Sequence, residues 1–101
     1  MNKQKITIIS NPISGKGESL NVAIKMHKIL KLNGFEVKIK NTRGQGDAKT
    51  LASEAVQDGA GSIIGCGGDG TIHEIINGLS RINSKPKLGI IPTVRFNNLA
   101  K

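Results

Sequence analysis

The hydrophobic period changes regularly along the chain. Ile6, Ile8 and Ile9 in KITIIS form a short apolar run that Asn11-Pro12 ends, a strand by composition and length. Val22, Met26, Ile29 and Leu30 then fall on one helical face with Ala23 beside them, and Asn33-Gly34 supplies a stop. FEVKIK alternates Phe35, Val37 and Ile39 with charge, as a strand with one wet face should. Ala48, Leu51, Ala52, Ala55 and Val56 return to helical spacing, closed by Gly59. SIIGC is a short buried strand, Ile72, Ile75, Ile76 and Leu79 a third helical stripe, and LGII (88–91) a fourth strand that Pro92 stops.

The predicted order is β-α-β-α-β-α-β. Strands alternating with helices imply a parallel sheet with right-handed crossovers, a three-layer, doubly wound α/β fold. In such sheets ligands bind beyond the carboxyl ends of the strands. The loops there are NPISGKG, GGDGT and PTVRFNN, and they are also the most unusual segments of the sequence.

Composition narrows the function classes. The 101 residues suit a single domain, and 37% hydrophobic residues with 22% charged ones suit a globular core. Two Phe and no Trp or Tyr make that core aliphatic and leave little for base stacking, so a nucleic-acid partner is not expected. A single cysteine, Cys66, excludes an internal disulfide and reads as small core filling. No apolar run approaches a membrane span and no secretory leader opens the chain, so a cytoplasmic protein is expected. The net charge of +8 is uneven: residues 1–50 carry ten Lys/Arg against three acids, and residues 51–101 five against four. That surplus fits either anionic partners or a solvated lysine surface. Lys25, Lys28 and Lys31 on the first helix would suit the inner face of an anionic membrane.

The chemistry concentrates in IIGCGGDGTIHEIINGL (63–79), where four glycines surround one acid. Glycines between a strand and a helix permit positive φ and a close approach of N–H groups to a ligand. The helix beginning there adds unpaired N–H groups and a positive dipole end, so the segment reads as a phosphate cradle. Thr71 is placed to be the N-cap, with Glu74 as its capping-box partner. A carboxylate beside phosphates needs a bridging cation, and Mg²⁺ held by one carboxylate plus phosphate oxygens makes Asp69 the metal-ligand candidate. Asp69 is otherwise a general base, or a loop acid bonding backbone N–H groups. Gly65, Gly67 and Gly70 satisfy G-x-G-x-x-G, but the acid expected about 20 residues on is missing and the motif follows the third strand. Gly15-Lys16 is followed by Gly17, so a Walker A loop is absent too. NPISGKG remains a second place where N–H groups, the Ser14 hydroxyl and Lys16 could meet phosphate, and equally an ordinary turn.

NPISGKG after the first strand, Thr42 with Gly46-Asp47-Ala48, GGDGTIHEIINGL and LGIIPT with Asn97 together resemble the catalytic domain of diacylglycerol kinases, a group that includes bacterial lipid kinases and sphingosine kinases. GGDGT alone is shared with NAD kinases; its combination with NPxSG, Glu74 and Asn77-Gly78 is more specific. The resemblance implies an ATP site formed by Asn11, Ser14, Gly15, Lys16, Thr42, Gly67, Gly68, Asp69, Gly70, Thr71 and Glu74, with Asp69 tied to Mg²⁺ and catalysis. It implies γ-phosphoryl transfer to the hydroxyl of diacylglycerol or a similar lipid at a membrane surface, with a homodimer admitted. The sequence departs from the family where a glycine-threonine loop is usual: Val94-Arg95-Phe96 stands there, and Arg95 would either bind phosphate or block the pocket. The family's second, β-rich domain is absent from these residues, so a fragment with little turnover of its own is expected. A kinase of NAD or sphingoid bases and a non-catalytic nucleotide-binding module remain the alternatives.

Overall fold

The computed structural model describes residues 3–93. The elements are β1 (Lys5–Ser10), α1 (Glu18–Leu32), β2 (Glu36–Asn41), α2 (Asp47–Gln57), β3 (Ser62–Gly67), α3 (Asp69–Leu79) and β4 (Lys87–Pro92). All strand pairs are parallel, in the order β2-β1-β3-β4. The doubly wound fold is therefore as expected from the alternating periods.

The central strand explains the layering. Ile8 and Ile9 are adjacent and point to opposite faces, and neither has any exposed surface. Ile8 joins Ile6, Ala23, Val37 and Cys66 in one core, completed by Val22, Met26 and Leu30 of α1. Ile9 joins Ile63, Ala48, Ala52, Ala55, Ile75 and Leu79 in the other, under α2 and α3. One helix thus covers the first face and two the second, as right-handed crossovers from β1 leftward and then rightward demand. Burying side chains such as Ile8, Ile9, Ile63 and Ile75 contributes roughly 1.5–3 kcal/mol each.

Three boundary details differ from the sequence reading. Ile29 is 55% exposed, because the buried stripe of α1 runs through Ser19 and Ala23 rather than through Ile29. Ile76 is likewise nearly half exposed, on the flank of α3 away from its buried residues. Pro92 does not stop β4 but is its last residue, opposite Gly67. An edge strand tolerates a residue without N–H on its open side.

Gly78 is what lets α2 and α3 lie together. A Cβ there would fall inside contact distance of the Lys49 carbonyl oxygen and 3.2 Å from the Ala52 Cβ. The Ser53 hydroxyl donates to the Gly78 carbonyl at 3.1 Å across the same seam. Asn77-Gly78 therefore serves close helix packing, beyond leading α3 to its end.

Two outcomes follow from this packing. Gly78→Ala should destabilise the chain by about 1–3 kcal/mol, since backbone rather than a flexible side chain must give way; chemical denaturation measures it. Burial raises the pKa of the Cys66 thiol above the ordinary value. The folded thiol should therefore resist alkylating reagents at mildly alkaline pH and react only on unfolding. The same shift has a sign: its contribution to stability is full below the unfolded thiol's pKa and is lost as pH rises through the folded one.

Candidate functional site

The connections leaving β1 and β3 go to opposite faces, which opens a crevice at their carboxyl ends. Asn11 keeps the chain alongside β3 for one more step, its N–H donating to the Cys66 carbonyl at 3.1 Å. Its Oδ1 accepts the Ile13 N–H at 3.3 Å, and the Ser14 N–H closes a turn onto the Asn11 carbonyl. Gly15, Lys16 and Gly17 then take left-handed conformations in succession, at φ 61°, 59° and 89°. Only Lys16 bears a side chain there, at a cost of about 1–2 kcal/mol that glycine would not incur. This places its ammonium on an exposed bend at the start of α1.

Helix α3 starts at Asp69, with Gly68 as N-cap in extended conformation. Gly65, Gly67, Gly68 and Gly70 all lack positive φ, contrary to the expectation that they serve left-handed backbone. Two of them serve proximity: a Cβ on Gly65 would meet the Ile75 side chain at 2.8 Å, and one on Gly67 the Thr71 side chain at 2.9 Å. Bare backbone lets α3 settle directly on the end of β3. Thr71 is then a buried residue of the first turn, not its N-cap.

The capping box is also replaced. Glu74 reaches across to α2, where its Oε2 accepts the Gly46 N–H at 3.0 Å and its Oε1 the Ala48 N–H at 3.2 Å. The N-cap of α2 is Gly46, which has no side chain to cap with, so α3 supplies the acceptor. The N-caps of all three helices are glycines, Gly17, Gly46 and Gly68, and none caps by a side chain. Glu74 satisfies the second helix, and in α1 the Glu18 and Ser19 N–H groups donate back to the Gly15 and Ser14 carbonyls; among the described residues it is the first turn of α3 that stays available at the rim.

A cleft of about 330 Å³ lies between these parts, lined by Asn11, Pro12, Ile13, Thr42, Arg43, Gly44, Gln45, Gly70, Thr71 and Glu74. Of the expected site residues it gathers Asn11, Thr42, Gly70, Thr71 and Glu74. Thr42 is nearly buried, held by its N–H to the Ser10 carbonyl at 2.8 Å. The cleft does not take in Ser14, Gly15, Lys16, Gly67, Gly68 or Asp69. Ser14 is occupied elsewhere: its Oγ lies 2.9 Å from the Thr93 Oγ1, which is also 2.7 Å from the buried Ser19 Oγ. Gly15 packs against Thr93, and the Thr93 N–H donates to the Gly67 carbonyl at 3.1 Å. The first loop is thereby tied to the ends of β3 and β4. Arg95 lies outside the described residues.

Asp69 is exposed in the first turn of α3 and has no hydrogen-bond partner among the described residues. No group of three or more His, Cys, Asp or Glu able to hold a metal occurs among them either. The donor set thus fits a cation shared between one carboxylate and ligand oxygens, not an all-protein cage.

Sequence reasoning missed three things here. The Arg43–Gln45 wall carries no motif of its own. The Ser14–Thr93–Ser19 hydroxyl cluster joins residues far apart in the chain. The Ser10 Oγ, buried at the end of β1, has no hydrogen-bond partner among the described residues. Only Thr93, directly following a strand, offered a positional signal.

A family model described as the diacylglycerol kinase catalytic domain matches residues 5–101. A diacylglycerol kinase of Staphylococcus saprophyticus is 37% identical over a 103-residue alignment covering 98% of this chain and 32% of that protein. One of Staphylococcus aureus is 34% identical, covering 98% and 31%. Among solved structures, a diacylglycerol kinase from Bacillus anthracis str. Sterne superposes with a TM-score of 0.71 at 33% identity, covering 89% of this chain and 32% of that one. The chain spans about a third of the length of these relatives. With glycine-capped helices converging on one rim and a family match along nearly its whole length, the chain belongs to the diacylglycerol kinase catalytic domain family.

Proposed function

We propose that this chain is the nucleotide-binding part of an ATP-dependent lipid kinase, which passes the γ-phosphoryl group of ATP to the hydroxyl of diacylglycerol or a similar lipid. The observation that carries the reading is the N-terminus of α3 at the β1/β3 switch point, left without a side-chain cap and facing the glycine-rich bend that leads into α1. Such termini favour phosphate through N–H donors and dipole together. Lys16, exposed in the left-handed bend before α1, adds a cation to the rim.

Phosphoryl transfer asks mainly for positioning and for neutralisation of charge. Asn11, Thr42 and Thr71 offer the cleft an amide and two hydroxyls for orienting the nucleotide. Asp69 would hold Mg²⁺ together with phosphate oxygens, and the cation when bound would neutralise the charge that builds on the phosphoryl group. No helix among the described residues is long and apolar enough to cross a membrane. Lys25, Lys28 and Lys31, all exposed on α1, would serve as attractors for anionic headgroups where the kinase meets a lipid surface.

Calorimetric titration of the chain with Mg-ATP should give saturable heat, and the absence of both heat and thermal shift would favour a module that takes no nucleotide. In the complete gene product, Asp69→Asn should lower kcat on the order of 100-fold or more, with the melting temperature unchanged because the side chain is exposed and unpartnered. Radiolabelled ATP and diacylglycerol vesicles measure the first effect and calorimetry the second. Unchanged turnover would remove Asp69 from the mechanism.

A further inference from the structure

We infer that Glu74 is a positioning residue, an internal anion that holds the Arg43–Gly46 wall of the cleft and is not itself a ligand of the nucleotide or its metal. The inference rests on the nucleotide-site reading above. It starts from the two oxygens of one carboxylate. Oε2 accepts from Gly46 and Oε1 from Ala48, so both are directed into the backbone of α2 although the residue also lines the cleft.

The wall needs such a support. Between Thr42 and α2 the chain runs through Arg43-Gly44-Gln45-Gly46, all exposed, with Gly46 left-handed at φ 90°. Three local bonds steady it: the Arg43 N–H donates to Asp47 Oδ2 at 2.7 Å, the Asp47 N–H to the Gly44 carbonyl, and the Thr50 N–H to the Gly46 carbonyl. These define the shape of the turn but do not attach it to α3. Glu74 supplies a side-chain attachment across the cleft, from a helix already fixed by Gly78 against α2.

The charge has a second consequence. A helix N-terminus attracts anions, and a carboxylate already seated at α2 satisfies that attraction internally. Phosphate is therefore directed to α3, whose first-turn N–H groups have no acceptor among the described residues, and the Arg43–Gln45 wall faces the uncharged part of the ligand. Both oxygens of Glu74 are bonded to α2, whereas Asp69 has no partner among the described residues, which separates the two roles.

The test uses Glu74→Ala and Glu74→Gln in this chain, read in two ways. Without nucleotide, amide hydrogen exchange at Gly46 and Ala48 should speed up in the alanine variant and less in the glutamine variant, which keeps one acceptor oxygen. With nucleotide, Glu74→Ala should weaken ATP binding on the order of tenfold, the scale of a displaced orienting wall, and by the same factor with Mg²⁺ and with EDTA. Glu74→Gln should fall between alanine and wild type. A loss of affinity confined to the Mg²⁺ titration would make Glu74 a metal ligand and overturn the inference. So would unchanged exchange at the two amides, or unchanged ATP affinity in the alanine variant. A wild-type chain that takes up no ATP overturns the nucleotide reading instead, and the exchange measurement still decides the clamp.

Discussion

Parallel pairing on both sides of β1 is the constraint from which the rest of this molecule follows. With β2 on one side and β3 on the other, the two connections must leave on opposite faces. That separation gives Ile8 and Ile9, neighbours in sequence, two independent cores. It also parts the backbone at the carboxyl ends of β1 and β3, which creates the rim where the NPISGKG and GGDGT segments meet.

The rim is built from glycines that perform different tasks. Gly15 and Gly17 bracket Lys16 in a left-handed bend. Gly65 and Gly67 clear the space that α3 needs above β3, and Gly78 brings α3 against α2. Gly46 and Gly68 begin helices without offering them a side-chain acceptor. A glycine-rich phosphate loop is usually explained by freedom of φ, but around Asp69 the operative property is the missing Cβ. The acid itself remains outside this packing, exposed and without a partner among the described residues.

Polar side chains divide between the two sides of the crevice in a consistent way. On the α1 side, three hydroxyls of Ser14, Ser19 and Thr93 fasten the first loop to the end of β4. On the α2 side, one carboxylate fastens the second loop to α3. Both fastenings join residues distant in sequence, by 79 positions for Ser14–Thr93 and 28 for Gly46–Glu74. Each side of the cleft is therefore fastened only when the whole sheet is formed.

Much of this was legible before any coordinates. Periods of two and 3.6 residues located all seven elements, and the order of strands and helices set the layers, because alternation leaves few topologies open. NPISGKG and GGDGT marked the rim, and their combination marked the family. What the chain alone could not give was who meets whom across it. Thr71 and Glu74 fit a capping box at a spacing of three, yet α3 begins three residues earlier, with Gly68 as N-cap, which buries Thr71 and turns Glu74 toward a neighbouring helix. Ile29 and Ile76 fit apolar stripes, but helix rotation is settled by the small residues that approach most closely, Ala23 and Gly78, and not by the largest ones. Local spacing determined the elements and the chemistry available; partners were decided by tertiary packing, since a hydrogen-bond acceptor serves whichever unpaired donor the fold brings nearest.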